Sequence, residues 1–139
     1  MTGDFTVALH AAVFLSHCAQ SRTSAQLAQN VCTNPAVIRR VMSRLRAAGL
    51  ICSKEGHVGG YTLCRPADEI TLCDILDAVE SRVVEPHHTG SSDMDCLIAS
   101  GMARVSDEIT DKLNKKCRRE LEKLTVGDIE KKIFSREAV

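Results

Sequence analysis

Acidic residues are missing from a long N-terminal stretch of this 139-residue chain. Residues 5–54 contain no Asp or Glu, whereas six Lys or Arg residues fall there. The net charge is +5 over residues 1–66 and −5 over residues 67–139, so the overall balance of zero conceals two halves of opposite sign. A cationic half of this kind predicts a surface for a polyanion, which the acidic half need not contact.

Aromatic side chains are also scarce. They make up 3% of the chain and Trp is absent, while hydrophobic residues reach 44%. The core must therefore be built mainly from aliphatic side chains, and the long periodic stretches predict a mainly α-helical protein. The length allows one domain, or one small domain with an appendage. No stretch is long and apolar enough to predict a membrane span.

Closely spaced cysteines are the third absence. The chain has seven cysteines, and no two are closer than nine residues: Cys18, Cys32, Cys52, Cys64, Cys73, Cys96 and Cys117. This spacing excludes Cys-x-x-Cys metal and redox motifs. It predicts a reduced, cytoplasmic protein in which most cysteines serve as small apolar residues.

The N-terminus resembles a lipoprotein signal only superficially. The apolar residues 7–15 run into Ser16, His17 and Cys18. A basic leading region is missing, Asp4 stands in its place, and His17 occupies a position that needs a small residue. We therefore expect a cytoplasmic helix over residues 4–18 and no targeting segment.

The clearest helix start is Asn34-Pro35. Asn is a favoured N-cap and Pro suits the first helical position, so the pair predicts a helix that runs to Ala48 and stops at Gly49. Its core stripe recurs at helical spacing and comprises Ile38, Val41, Met42 and Leu45. Its opposite face and flanks carry Ala36, Arg39, Arg40, Ser43, Arg44 and Arg46. A solvated helix face would normally intersperse acids among the bases, and because no acid lies in this stretch we predict a nucleic-acid face.

A β-hairpin is predicted directly after this helix. Residues 50–54 and 61–65 suit two short strands around residues 55–60, which include three glycines. A short helix capped by Thr23 or Ser24 precedes the Arg-rich helix. This order of elements predicts a winged helix-turn-helix. A phosphate-binding loop at Gly59-Gly60 is disfavoured because no helix begins after it.

Three further helices are expected in the second half. Thr71 with Asp74, and Thr125 with Asp128, each form a capping-box pattern at a helix start. Between them a helix over residues 102–124 carries a stripe one residue wide. We predict that this seam packs against a second copy of the chain, through Met102, Val105, Ile109, Leu113 and Leu121.

Several consecutive motifs resemble one known family. They are Asn-Pro-Ala-Val-Ile-Arg-Arg at 34–40, Leu-Arg-Ala-Ala-Gly-Leu at 45–50, Gly-Gly-Tyr-Thr-Leu at 59–63 and Ile-Thr-Leu-Cys-Asp-Ile at 70–75. Together they resemble the Rrf-type bacterial winged-helix regulators, the family of IscR, NsrR and CymR. The resemblance implies a homodimer joined through the long helix, DNA binding by the N-terminal half and transcriptional regulation, most often repression. It divides the chain into a DNA-binding domain over residues 1–82, an effector region over 83–100, and dimerisation and C-terminal helices over 101–139.

We predict double-stranded DNA as the partner, read as a pseudo-palindromic operator. Arg22, Ser24 and Lys54 are expected at phosphates, Asn34, Arg39, Arg40 and Ser43 at base edges, and His57 in a narrowed minor groove. The predicted interface as a whole comprises Arg22, Ser24, Asn34, Pro35, Arg39, Arg40, Ser43, Arg44, Lys54, His57, Gly59, Gly60 and Tyr61.

The effector region departs from the family pattern. Cluster-binding members carry three closely spaced cysteines there, whereas this chain has only Cys96. We therefore expect no cofactor and no iron–sulfur cluster of the usual kind, because such clusters need several converging thiolates. Direct thiol oxidation or an unknown small ligand is the favoured signal, with Cys96 and Cys117 as candidate sensors. Asp93 and Asp95 disfavour a thiolate at Cys96, and four neighbouring cations favour one at Cys117.

Competing interpretations remain at this point. A regulator that holds a cluster through unusual ligands is one, and a winged-helix protein-interaction module that reads no DNA is another. A cysteine-nucleophile enzyme is disfavoured, because the side chains of His17 and Cys18 diverge on a helix. Zinc at His87-His88 lacks a third ligand.

Overall fold

The computed structural model describes residues 3–55 and 59–135, which form six α-helices and one two-stranded sheet. The elements in chain order are α1 (Gly3–His17), α2 (Ser24–Val31), α3 (Pro35–Ala47), β1 (Ile51–Lys54), β2 (Gly60–Leu63), α4 (Leu72–Ala78), α5 (Leu97–Glu122) and α6 (Val126–Ser135), with a 3₁₀ turn at Ala67–Glu69 before α4. The predicted mainly helical winged helix-turn-helix with a long C-terminal helix is confirmed.

Helix α1 forms the centre of the core. Phe5, Ala8 and Ala12 on α1 are at most 2% exposed, and the helix contacts α2, α3, α4, α6 and β2. Small alanines let the neighbouring helices approach closely, which offsets the shortage of aromatic side chains. Within the described residues, no helix is both long and apolar enough to cross a bilayer.

The paired helices α2 and α3 begin at strong caps. Thr23 accepts a hydrogen bond from the Gln26 amide at 3.2 Å, and the Gln26 side chain accepts one from the Thr23 amide at 2.9 Å. Asn34 Oδ1 accepts from the Val37 amide at 3.0 Å, with Pro35 as the first residue of α3. These contacts fix where both helices start and therefore how they are oriented.

The apolar stripe of α3 is fully buried. Ile38, Val41, Met42 and Leu45 are each at most 1% exposed, as predicted. Gly49 adopts φ +76° directly after the helix, a left-handed conformation that favours glycine and turns the chain towards β1. Because the stripe is anchored in this way, the opposite face of α3 points to solvent.

The hairpin β1–β2 is antiparallel and pairs Ile51 with Leu63 and Lys54 with Gly60. Its tip, residues 56–58, lies outside the described residues. Strand β2 also bridges to the α1–α2 connector, through Arg22 N to Tyr61 O at 3.1 Å and Tyr61 N to Arg22 O at 2.8 Å. A Cβ on Gly60 would lie 2.8 Å from the Arg22 carbonyl oxygen, so only glycine fits this close approach.

The capping boxes of α4 and α6 lie side by side. Thr71 and Asp74 exchange hydrogen bonds at 3.0 Å, and Thr125 and Asp128 do so at 3.0 and 3.1 Å. The two threonines form an isolated antiparallel bridge. Both predicted helix starts are confirmed, and the bridge places α6 beside the start of α4.

Helix α6 packs back onto α1 rather than continuing α5. Val126 is fully buried in the common core, and Ile129 packs against that core. Helix α6 therefore belongs to the same compact unit as α1, α2, α3, α4 and the two strands. The predicted division of the chain at residues 82 and 100 stays a prediction.

Helix α5 is longer than predicted because it begins at Leu97 instead of Met102. Its C-terminal end lies on the compact unit, where Leu121 packs against the core and Arg118 forms an ion pair with Asp77. Towards its N-terminus the predicted seam is exposed, at Met102, Val105, Ile109 and Leu113. Leu121 thus differs from the other four predicted dimerisation residues, because its own chain already covers part of it.

Candidate nucleic-acid interface

The outward face of α3 presents unpaired cationic groups. Arg39 and Arg46 are exposed, and within residues 3–55 and 59–135 neither forms an ion pair with a carboxylate. Ser43 is exposed one turn after Arg39. The buried stripe on the opposite side holds the helix rigidly, so these three side chains project from a fixed support.

Two other arginines of α3 contradict the expectation that no acid pairs with this helix. Arg40 Nη2 lies 2.6 Å from Asp4 Oδ1, and Arg44 Nη1 lies 3.3 Å from Asp4 Oδ2. Arg44 also donates to the Val79 carbonyl at 3.2 Å. Asp4 precedes the acid-free stretch in sequence, but α1 crosses α3 and brings its first turn against the arginines. The cationic face is therefore partly compensated.

A polar cleft lies between the start of α2 and the base of the hairpin. It is lined by Thr23, Ser24, Arg46, Ser53, Lys54, Gly59, Gly60 and Tyr61, none of which is acidic. The first turn of α2 contributes backbone amides with partial positive charge, and Arg46 and Lys54 add full charges. An anionic group entering this cleft meets donors and cations from three separate elements.

Three residues of the predicted interface form structural contacts in this fold: Arg22, Gly60 and Tyr61. Arg22 is half-buried, and its guanidinium carbon lies 6.0 Å from the Phe14 ring centroid. Its Nε is buried and has no hydrogen-bond partner among the described residues. Gly60 and Tyr61 serve to join the wing to the backbone of Arg22. The Arg22 side chain lies against Phe14 of α1, and its predicted phosphate contact stays a prediction.

Asn34 and Pro35 are placed at the exposed entry of α3, as expected, but the Asn34 side-chain oxygen already caps the helix. Its amide nitrogen remains available for another contact. His57 belongs to the segment outside the described residues, so its predicted minor-groove role stays a prediction.

The candidate sensor cysteines have different environments. Cys96 is exposed at the N-cap of α5, where the Ala99 and Ile98 amides hold the pKa of its thiol below the usual value. The expectation that Asp93 and Asp95 disfavour a thiolate at Cys96 is therefore corrected, because the two amides lower the pKa of the thiol. Cys117 is half-buried on α5. Burial raises the pKa of the Cys73 thiol on α4.

Cys52 and Cys64 form a disulfide, which the sequence analysis did not anticipate. Both residues are exposed, so neither serves as a small apolar core residue. The expectation of a reduced protein, in which most cysteines serve as small apolar residues, is wrong for this pair. The available signal was one cysteine in each of the two strands predicted for the hairpin, because a hairpin brings its strands side by side.

A contiguous apolar surface remains uncovered on the N-terminal part of α5. Leu97 is 86% exposed and Ile98 is 74% exposed, and the surface continues along the seam through Met102, Val105, Ile109 and Leu113. A soluble chain rarely exposes so many large apolar side chains together without a partner. The adjacent segment 83–95 is held to α5 by Asn114, which bonds both backbone groups of Val84 at 2.9 Å.

The arrangement of two capped helices, a buried-stripe helix with a cationic outer face and a hairpin wing defines the winged helix-turn-helix class of DNA-binding proteins. A family model described as "Iron-dependent Transcriptional regulator" matches residues 1–132. The chain belongs to this Rrf2 family of transcriptional regulators.

Individual relatives agree with the family. YwgB of Bacillus subtilis, assigned as an HTH-type transcriptional regulator, is 32% identical over 96 residues, which is 63% of this chain and 60% of that protein. IscR of Cereibacter sphaeroides is 41% identical over 54 residues, which is 39% of this chain and 34% of that protein. These aligned segments span less than two thirds of either relative.

Solved structures show the same fold over nearly the whole chain. A structure assigned as a transcriptional regulator from Lactobacillus plantarum has a TM-score of 0.80 at 26% identity and covers 96% of this chain and 91% of its own. CymR of Bacillus subtilis has a TM-score of 0.63 at 22% identity, covering 94% and 95% of the two chains.

The family description mentions iron, and in the part of one chain that the structure describes the cysteines are not placed to share an iron–sulfur cluster. Cys96 and Cys117 lie on the same helix, and 21 residues at a rise of ~1.5 Å separate them by about 32 Å. Cys52 and Cys64 are bonded to each other. Within the described ranges, no group of three or more His, Cys, Asp or Glu residues is placed to hold a metal.

Proposed function

We propose that the chain is a sequence-specific DNA-binding repressor that acts as a homodimer in the cytoplasm. The observation that carries this proposal is the acid-free cleft between α2 and the wing, next to the unpaired Arg39 and Arg46 of α3. Family membership supports the regulatory role, and the resemblance of its motifs to Rrf-type regulators favours repression.

The cleft suits a backbone phosphate. Amides at the start of α2, together with Arg46 and Lys54, converge on it from three elements. Such contacts position a duplex without reading its sequence, and they make affinity depend on salt. With a phosphate seated there, α3 runs alongside the strand and its outer face meets the major groove.

Base reading falls to the exposed residues of α3. Arg39 is the best placed, since it is free of carboxylates and Arg most often recognises guanine through O6 and N7. Ser43 lies one turn further on the same face. Arg40 and Arg44 join them only when their contacts with Asp4 are exchanged for DNA.

A second copy of the chain is the proposed occupant of the apolar surface of α5. The helix has 26 residues and is about 39 Å long, enough to pair along its length with a symmetric neighbour. Two copies would present two α3 helices to one duplex. Half-sites of a pseudo-palindrome would then lie one helical turn, or a multiple of it, apart.

The proposed signal is oxidation of an exposed thiol. Cys96 supports this because it is accessible and its pKa is lowered by the amides at the start of α5. A lower pKa places more of the thiol in the reactive thiolate form at neutral pH. Cys96 also lies next to the apolar surface assigned to the partner copy, so its modification would act directly on the dimer.

A matched pair of arginine variants tests DNA binding. Arg39→Ala is expected to weaken binding to a duplex selected from a random pool by about 1–3 kcal/mol and to relax the choice of base at one position. Arg104→Ala removes the same charge from an exposed site on α5 and should leave affinity unchanged. Fluorescence anisotropy over a range of salt concentrations measures both.

Equal DNA affinities of Arg39→Ala and Arg104→Ala would show that Arg39 on the outer face of α3 does not contact DNA. Salt-independent binding, or none to any duplex, would instead favour a protein-interaction module that retains the winged-helix shape.

A further inference from the structure

Cys52 and Cys64 occupy a distinctive position at the base of the wing. In the hairpin register Cys52 faces Thr62, and Cys64 follows two residues later, so both cysteines are on the same side of the ribbon. The Cys64 amide donates to the Leu50 carbonyl at 3.0 Å, which extends the pairing past the end of β2. The resulting Cα–Cα distance is 5.2 Å, within the range that disulfides span.

The surroundings of the pair exclude a packing role. Ile51 and Leu63, the neighbours on the other side of the ribbon, face the core, and Ile51 is only 1% exposed. Cys52 and Cys64 point the opposite way and are exposed. Their sulfur atoms are therefore accessible to small thiols, unlike the buried thiol of Cys73.

We propose that Cys52 and Cys64 are a reversible thiol–disulfide switch that controls how firmly the wing holds DNA. The inference rests on the proposed function, because the cross-link closes the loop that carries Lys54 and Gly59, two residues of the cleft assigned to phosphate. Disulfides of cytoplasmic proteins are usually transient, so a solvent-accessible one fits a switch better than a permanent staple.

The chemistry uses a small-molecule thiol as reductant and its disulfide as oxidant. One thiolate attacks a sulfur of the Cys52–Cys64 bond and forms a mixed disulfide, and the other cysteine leaves as a thiolate. A second thiolate then attacks the small-molecule sulfur of the mixed disulfide and releases the remaining protein cysteine as a thiolate. The two small thiols thereby become one disulfide, and the protein gains two electrons and two protons. The reverse exchange, with that disulfide as oxidant, restores the cross-link.

The closed form binds DNA more tightly. With the bond in place, the wing base keeps Lys54 and Gly59 beside Ser24 and Arg46. Reduction opens the loop and increases the number of wing conformations that must be ordered on binding. Because ordering opposes association, we expect reduction to weaken binding to a selected duplex by about threefold to tenfold.

The experiment uses Cys96→Ser as the parent protein, because this change removes the separate signal proposed for the Cys96 thiol. The parent is compared with the triple variant Cys52→Ser/Cys64→Ser/Cys96→Ser after equilibration with reduced or oxidised glutathione. The parent should bind the selected duplex about threefold to tenfold more tightly under oxidised than under reduced glutathione. The triple variant, which keeps the other four cysteines, should bind equally in both conditions, at the affinity of the reduced parent. Differential alkylation with mass spectrometry on wild type should show Cys52 and Cys64 joined under oxidation and free under reduction, independently of any variant.

Three results would overturn the switch alone: free Cys52 and Cys64 under oxidised glutathione, a redox difference in affinity that persists in the triple variant, or equal affinities of the Cys96→Ser parent in the two conditions. Failure of every protein to bind any duplex in either condition would overturn the proposed function as well.

Discussion

Helices α3 and α5 share a sequence pattern but not a structural outcome. Both carry apolar residues at helical spacing with charged residues elsewhere. The stripe of α3 is at most 1% exposed, whereas Met102, Val105, Ile109 and Leu113 on α5 are 37–55% exposed. Periodicity therefore identifies the face of a helix that has to be covered, and the rest of the chain decides whether the cover comes from the same molecule.

The largest expected effect comes from making the same substitution on both helices. Ile38→Ala removes a fully buried side chain and should lower the free energy of unfolding by about 2–5 kcal/mol. Ile109→Ala removes one that is 55% exposed, so in dilute monomer the change should stay within about 0.5 kcal/mol. Denaturant titration of both variants measures the difference. A similar loss of unfolding free energy in the two variants would show that the seam of α5 packs within its own chain.

A charge on the seam of α5 sharpens the comparison. Ile109→Glu places a carboxylate in the proposed subunit contact, where it would be buried without a partner. We expect the dimer dissociation constant to rise at least about 30-fold, measured by sedimentation equilibrium. Ile133→Glu, at a 51% exposed site on α6, is the matched control and should leave the oligomeric state unchanged.

The outer face of α3 can be tested by removing its only acidic partner among the described residues. Asp4→Asn releases Arg40 and Arg44 and should strengthen DNA binding by about twofold to fivefold, because exposed ion pairs are weak competitors. Glu85→Gln removes one exposed negative charge elsewhere and serves as the control. Unchanged binding for Asp4→Asn would mean that these two arginines do not face DNA.

The smallest effect concerns the cap of α6. The Thr125 amide and hydroxyl hold the pKa of Asp128 below its ordinary value of 3.8. Its carboxylate therefore stabilises the fold above that ordinary value, and this stabilisation is lost as pH falls through the lowered pKa. Asp128→Asn should lower the melting temperature slightly at neutral pH and approach wild type in strong acid. Asp93→Asn is the control and should leave the melting temperature unchanged. A difference in melting temperature between wild type and Asp128→Asn that does not vary with pH would contradict the stabilising role of the Asp128 carboxylate.

Local patterns predicted most of the fold, since caps and stripes are encoded within a few residues. Asn34-Pro35, the two capping boxes and the buried stripe of α3 all depend on neighbours in sequence. The return of α6 onto α1 was not predictable in this way, because an amphipathic helix does not specify which surface will cover it.

The site was predicted less completely for the same reason. An acid-free stretch indicates a cationic surface, but Asp4 reaches α3 only because α1 and α3 cross in space. Arg22 was predicted as a phosphate anchor from its charge, whereas its backbone and its contact with Phe14 determine where it points. Cys52 and Cys64 are twelve residues apart, and the register of the hairpin brings them together.

The bridge between Arg22 and Tyr61 has a mechanical consequence. Two backbone hydrogen bonds and the missing side chain of Gly60 join β2 directly to the connector between α1 and α2. A tilt of α1 is thereby transmitted to the hairpin as well as to the helix pair. Helix α6 also packs along α1, so α1 connects α6 to the wing through direct contacts. A displacement of α6 is therefore expected to shift the wing through α1.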